Sequence, residues 1–395
     1  MNLKTSKLGD VCDIRSGNSI PAKEKDDLYR NVSEGLPYVA TKDIGFDGSI
    51  NFENGVRIPA KLTKRFRLSE KNSVLVCAEG GSAGRKIAYS NQDCYFVNKL
   101  FSIKPTTEID SKYIYFYTLS NEFQKKFKES LHGLIGGVSL SKIKNFQITY
   151  PTLEEQKCII AKLDVAFSEI DNKEQLNSEK LNNINKFKKS ILDNLLGNNL
   201  IKLNEACDLI KRGISPKYLE TGGVAVINQK CIRNHIIDYS KARRHNINLK
   251  KVPDERFIKK GDVLINSTGH GTLGRVAQVN RDPAEKTTVD SHVTIIRPKQ
   301  KLFDLGYFAN ALIKIEKQLE AAGEGASGQT ELSRSKLESE FDIPYIDSID
   351  KQRKVSLMIN SIFENIYILK NSTVKIIENL KSLKLSFLNK EFHNK

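Results

Sequence analysis

Leu153-Glu-Glu-Gln-Lys-Cys-Ile-Ile-Ala-Lys-Leu163 decides the reading of this 395-residue chain, because it returns as Ile349-Asp-Lys-Gln-Arg-Lys-Val-Ser-Leu-Met-Ile359, with Gln352 standing 196 residues after Gln156. Self-similarity over half a chain sets the architecture before any single element does. Working outward, Phe146-Gln-Ile148 matches Phe341-Asp-Ile343. Val74-Leu75-Val76 and a glycine-rich loop ending Gly84-Arg85 match Val263-Leu264-Ile265 and a one-residue-longer loop ending Gly274-Arg275. Lys7-Leu8 with Gly17 match Lys202-Leu203 with Gly213. The matches keep the same order in both halves.

A helix follows each copy of the opening motif. Thr152 with Glu155 fits a capping box just after Pro151, and Gly197 after Leu195-Leu196 fits a C-terminal stop. Between them the heptad positions are Leu163, Phe167, Ile170, Glu174, Asn177, Leu181, Ile184, Lys188, Ile191 and Leu195, seven of the ten apolar. Shifted by 196, the first nine become Ile359, Phe363, Ile366, Lys370, Thr373, Ile377, Leu380, Lys384 and Phe387, apolar and polar at matching places. A helix of roughly 40 residues spans about 60 Å, too long to bury its stripe against one small domain. The two stripes are therefore expected to pair as an antiparallel coiled coil, which would give the molecule pseudo-two-fold symmetry.

Each helix is preceded by a mixed region. Short β-rich runs (Ser73 to Cys77, Phe101 to Lys104, Asp262 to Asn266, His292 to Arg297) lie between Gly, Asn and Pro punctuation, with shorter helices expected near Ser111 to Ser130 and Asp304 to Ala322. The pattern is α+β rather than a regular βαβ alternation. Residues 1–151 form one mixed domain, 152–197 the first long helix, 198–346 the second mixed domain and 347–395 the second long helix.

The formal net charge is +16, with 63 Lys and Arg against 47 Asp and Glu and a pI near 9.3, which suits a polyanionic partner. The start of the chain resembles no secretion signal and no stretch approaches a membrane span, so a soluble cytoplasmic protein without a membrane partner is expected. Six scattered cysteines form no CxxC pair, which argues for reduced, buried thiols and no metal site.

No catalytic motif is complete in the sequence. Neither glycine-rich loop, Glu79 to Arg85 or Ser267 to Arg275, contains the GxxxxGK[ST] of a nucleotide loop. Glu155-Gln-Lys157 imitates a nuclease element, but Glu155 already serves as a cap and its counterpart is Lys351. No [DN]PP[YF] methyltransferase motif is present, and the six histidines show no triad-like pairing. An enzyme with unrecognised motifs and a coiled-coil interaction protein with incidental charge are the competing classes. What the chain does offer is donors on loops able to approach a duplex: Arg and glycine amides for phosphates, longer polar side chains for base edges.

At this point the chain resembles, over essentially its full length, the specificity subunit of type I restriction-modification systems. The resemblance is carried by Gly137-Val-Ser-Leu-Ser-Lys-Ile143, then Phe146-Gln-Ile-Thr-Tyr-Pro151, then Glu154-Glu-Gln-Lys-Cys-Ile159, all recurring in weaker form from Gly328 to Val355. It implies that the chain is not itself an enzyme and that each mixed domain is a target-recognition domain reading one half of a bipartite DNA target. It also implies that the helix pair sets the gap between the halves and docks two modification (methyltransferase) subunits, with restriction subunits completing the assembly. S-adenosylmethionine, ATP and magnesium would belong to those partners, so this chain is expected to bind no cofactor or metal. The segments Pro21 to Arg67 and Lys217 to Arg256 match poorly while the helices match well, so an asymmetric target is expected. Candidate contacts to double-stranded DNA are Arg15, Asn18, Lys42, Arg57, Lys64, Arg65, Arg67, Arg85, Asn98, Lys99 and Lys142 in the first half. In the second they are Arg212, Lys217, Lys230, Arg233, Arg243, Arg244, His245, His270, Arg275 and Lys336.

Overall fold

The computed structural model describes residues 3–106, 108–132, 136–324 and 330–393. Two compact units emerge, one of residues 1–178 with 374–395 and one of residues 179–373. Each is an α+β body that holds a stretch of both long helices, Leu153–Leu195 and Ile349–His393.

In the first unit the alternating and apolar runs form two four-stranded sheets. One is antiparallel, in the order Cys12–Ser16, Leu100–Pro105, Val74–Cys77, Ile87–Tyr89. The other runs Arg57–Ile58, Leu36–Val39, Cys94–Phe96, Leu68–Ser69, with the central pair parallel. A ribbon of Lys4–Lys7 with Gln147–Tyr150 closes the unit beside the start of the first long helix. The second unit repeats the plan with Cys207–Arg212, Val293–Pro298, Val263–Asn266 and Val276–Gln278 in one sheet, and Asn199–Lys202 with Asp342–Tyr345 as the ribbon. Its other sheet keeps the parallel pair, Val224–Ile227 with Thr287–Val289, but flanks it differently, by Arg243–His245 and Tyr218–Leu219. The repeat also fixes one close approach: a Cβ on Gly17 would lie 1.9 Å from the Phe96 carbonyl oxygen, and one on Gly213 would lie 2.0 Å from that of Val289. Only glycine fits there.

The long helices run antiparallel. In the first unit Lys384 sits over the Phe167 ring at 4.6 Å and pairs with Asp171 at 2.5 Å. In the second unit Lys188 sits over the Phe363 ring at 4.6 Å. Leu163, Phe167, Ile170, Ile184, Ile191 and Ile359 are buried in these contacts and in the domain cores, and Leu181, Leu195, Phe363, Ile366, Ile377 and Leu380 are half-buried. One seam position is corrected. Phe387 is 39% exposed, while Leu388 and Phe392 are buried against the first unit's core, the Phe392 ring 5.1 Å from that of Tyr113. A straight helix drifts by about 20° per heptad against a strict seven-residue repeat, so near the helix end the inward face advances from 384 by fours, to 388 and 392.

A second correction concerns the shorter helices, each of which is broken in two. The stretch expected as Ser111 to Ser130 is Ser111–Leu119 and Asn121–Glu129, and its counterpart is Leu305–Lys314 and Glu316–Ala321. Ser120 ends the first helix in extended backbone and caps the next, its Oγ accepting the Phe123 N–H at 3.4 Å. A serine offers the backbone an alternative to continued helix, and here the chain takes it.

The long helices begin with caps of different kinds. Thr152 and Glu155 form the reciprocal box, with the Thr152 N–H donating to Glu155 Oε2 at 3.2 Å and the Glu155 N–H to Thr152 Oγ1 at 3.5 Å. In the second copy Ser348 Oγ accepts the Lys351 N–H at 3.4 Å. One turn further in, both helices are riveted to their domains by a fully buried glutamine. Gln156 Nε2 donates to the carbonyls of Pro151 (2.9 Å) and Glu108 (3.1 Å), and its Oε1 accepts the Asp110 N–H at 2.8 Å. Gln352 repeats this with Ile346 (2.7 Å), Leu302 (2.9 Å) and the Asp304 N–H (2.8 Å).

Only an amide presents two donors and an acceptor in that geometry. Gln156→Ala or Gln352→Ala therefore strands one N–H and two carbonyls in the interior, at a cost of about 2–3 kcal/mol each. Gln→Glu is expected to cost more, since a carboxylate meets two carbonyls with no donor. Chemical denaturation of the three forms measures both differences.

Candidate nucleic-acid interface

The glycine-rich loops join adjacent antiparallel strands, Val74–Cys77 to Ile87–Tyr89 and Val263–Asn266 to Val276–Gln278. Each docks on the loop that precedes its domain's last strand. In the first unit the Gly80 N–H donates to Gly136 O at 2.8 Å and the Val138 N–H to Ala78 O at 3.0 Å. In the second the Gly269 N–H donates to Thr330 O at 3.3 Å and the Leu332 N–H to Ser267 O at 2.9 Å. Residues 133–135 and 325–329 of these partner loops, which the sequence reading included, lie outside the described residues.

Tight turning uses several of the loop amides internally. Those of Ala83, Gly84 and Arg85 donate to Gly80 O, Cys77 O and Ser82 O. The last glycine before each arginine is packed: a Cβ on Gly84 would meet the Phe127 ring at 2.6 Å, and one on Gly274 the Glu320 backbone N at 2.6 Å. Gly80 and Gly271, by contrast, face open space. Each loop ends in an arginine, and the two are held differently. Arg85 is exposed and lies over the Phe46 ring at 5.1 Å, with Lys86 over the same ring at 5.2 Å. Arg275 is more confined, donating to Gly271 O at 2.8 Å and Ile232 O at 3.4 Å.

The other candidates divide by what already holds them. Arg57 pairs with Glu53 (2.9 Å), Arg65 with Glu24 (2.8 Å), Arg244 with Glu285 (2.6 Å), Lys336 with Glu324 (2.6 Å), Lys99 with Glu79 (3.0 Å) and Arg15 with Asp13. Arg67 donates to Ser16 O at 2.9 Å, and Asn18 Oδ1 accepts the Arg67 N–H at 2.8 Å. Arg212 ties the second loop pair together, donating to Leu332 O at 2.9 Å and pairing with Glu331 at 2.7 Å. His245 is fully buried, accepting the Lys217 N–H on Nδ1 (2.9 Å) and donating from Nε2 to Lys250 O (2.8 Å). Exposed are Lys42, Lys64, Asn98, Lys142, Lys217, Lys230, Arg233 and His270.

Around Arg243, a candidate from the sequence, the second unit gathers residues that were not candidates: Tyr218, Asp290, Thr268 and His292. The exposed Arg243 guanidinium lies 3.4 Å over the Tyr218 ring and faces buried Asp290, whose carboxyl is pushed up by burial against the opposing pull of the His292 amide and Arg243. Beside it, Thr268 Oγ1 and His292 Nδ1 are 2.6 Å apart. A signal for these residues existed: Asp290-Ser291-His292 precedes Val293–Pro298 where Val97-Asn98-Lys99 precedes Leu100–Pro105. The first unit's pair had been picked out and its counterpart had not.

Among the described residues no group of three or more His, Cys, Asp or Glu side chains is placed to hold a metal ion, and no helix is long and apolar enough to cross a membrane. Five of the six cysteines are buried, and burial pushes the Cys12 and Cys94 thiols up to about 12.

A duplicated α+β module on an antiparallel helix pair, with arginines and lysines around paired loops, is a scaffold for presenting two polar surfaces. Residues 2–185 match the family model of the type I restriction modification DNA specificity domain. The chain's fold is shared over the whole length. A chain from a structural study of complex assembly and conformational transition of the type I R-M system aligns with a TM-score of 0.74 at 17% identity, covering 99% of this chain and 97% of that one. The HsdS subunit from Thermoanaerobacter tengcongensis aligns with a TM-score of 0.52 at 18% identity, covering 99% and 96%.

Proposed function

We propose that the chain is the non-catalytic DNA-reading subunit of a cytoplasmic type I restriction-modification complex, each recognition domain inspecting one half of an asymmetric bipartite target. The observation that supports this most is the combination of sameness and difference between the units. The glycine-rich loop pair, the buried glutamine and the helix contacts recur, whereas the strands flanking the parallel pair differ. A constant frame with unlike reading edges suits two unlike half-sites.

The helices act as the ruler between those half-sites and as the dock for two modification subunits, with restriction subunits joining the assembly. Supporting the dock, the second long helix leaves Leu357 and Ile368, 11 positions apart and so on one face, each 64% exposed. S-adenosylmethionine, ATP and magnesium chemistry is assigned to the partners, and this chain's residues supply affinity and register only.

Reconstitution tests the reading. The purified chain is expected neither to cleave nor to methylate duplex DNA, and to direct methylation to one bipartite sequence when mixed with its modification subunit and S-adenosylmethionine; activity of the chain alone overturns the proposal. Deleting one heptad from both long helices, at matching places, is expected to change the spacer between half-sites while each half-site sequence stays as it was. Mapping methylated positions reads both. If Arg85 contacts phosphate, Arg85→Ala weakens binding to all sequences alike and lowers the slope of log affinity against log salt by about 1. Arg65→Ala, removing a group already paired with Glu24, leaves that slope unchanged.

A further inference from the structure

Lys188 and Lys384 occupy the same place in the two copies, 196 residues apart, and each breaks an apolar seam. Each ammonium lies 4.6 Å from the ring of a phenylalanine on the opposite helix, Phe363 or Phe167, which are themselves 196 apart. A cation held on an aromatic face has its remaining N–H groups free to point elsewhere. In the second unit they point at the recognition domain: Lys188 Nζ is 3.1 Å from His235 Nδ1, and His235 Nε2 is 2.9 Å from Glu316 Oε2. Glu316 Oε1 in turn accepts the Val276 N–H at 3.0 Å.

The chemistry of the relay fixes its direction. An ammonium has only donors, so Nδ1 accepts, Nε2 carries the proton, and the carboxylate receives it. Burial lowers the Lys188 ammonium, Glu316 offsets part of that, and Lys370 adds to it. His235 sits at the turn of the hairpin Ile232–Arg233 with Ile236–Ile237, with φ of 62° after Asn234 at 51°. Bulky side chains rarely adopt that backbone, and it persists where surrounding contacts impose it. In the first unit the corresponding turn lies between the bridged residues Ile44 and Ile50 and carries Asp47. Among the described residues Lys384 does not reach that turn by a hydrogen bond; its ammonium pairs with Asp171 of the facing helix at 2.5 Å.

We infer that Lys188 is a positioning residue that registers the turn of the second unit's recognition domain against the helix pair through His235, whereas Lys384 ties the two helices together through Asp171. The consequence for half-site spacing rests on the function proposed above; the joint itself does not.

Hydrogen exchange on the full chain tests it without DNA. Lys188→Met, which keeps the apolar stem on Phe363, is expected to speed exchange roughly tenfold across 232–238 and to leave 44–51 as in the wild type. Lys384→Met, which removes a pair made between the helices, is expected to leave 232–238 as in the wild type, and Lys188→Arg, which restores a donor to His235, to return 232–238 to the wild-type rate. Loosening confined to 232–238 in Lys188→Met, with rescue, supports the joint. Equal loosening of both segments by either variant, no loosening, or no rescue by arginine overturns it. These outcomes are independent of whether reconstituted methylation succeeds.

Discussion

The structure depends on a hydrogen-bonding constraint at the head of each long helix. A helix of 43 or 45 residues is stable along its length only where its apolar stripe is covered, and it can orient a domain only where something fixes the domain to it. Gln156 and Gln352 do the second job from inside the protein. Each closes three backbone groups of its own domain that would otherwise lack partners in the interior, so the domain core and the helix start cannot separate without exposing all of them. The glutamine couples what would be a flexible linker to a folded body.

From that constraint the rest follows in order. Once the helix start is fixed, the ribbon beside it fixes the terminal strands, and the antiparallel sheet places the glycine-rich loop against the loop before the last strand. The arginine ending each glycine-rich loop then has a defined exit from the surface. Charge is arranged on the same principle. Arg57, Arg65, Arg244 and Lys336 are committed to neighbouring carboxylates, which makes them parts of the frame. Exposed cations such as Lys42, Lys142 and Arg233 remain to meet a polyanion. The 63 lysines and arginines therefore overstate the number of groups presented to a ligand.

The fold was legible in the sequence because it is written twice. Gln156 and Gln352 were visible as a repeated letter long before their shared hydrogen bonds were, and the heptad pattern announced the antiparallel pair. Phe387 was misplaced because a seven-residue count assumes a supercoiled partner all along the helix, and the last turns pack on a domain instead. Ser120 was overlooked because capping serines and serines on a helix surface look alike in sequence. Legibility was poorer for the candidate interface. Whether an arginine such as Arg212 is exposed or clamped on Leu332 O and Glu331 depends on residues 120 positions away, and no local pattern encodes that.

Repetition also separates what the scaffold requires from what each reading surface is free to vary. Gly17 and Gly213, Phe167 and Phe363, Lys188 and Lys384 keep both identity and contact, so backbone clearance and helix pairing tolerate no alternative at those places. Beyond the rings the two lysines part ways: Lys188 reaches His235 of its own unit's recognition domain, and Lys384 turns to Asp171 of the facing helix. The helix contact is thus kept while the contact with the recognition segment varies, which lets dissimilar segments be mounted on one frame without redesigning the frame for either.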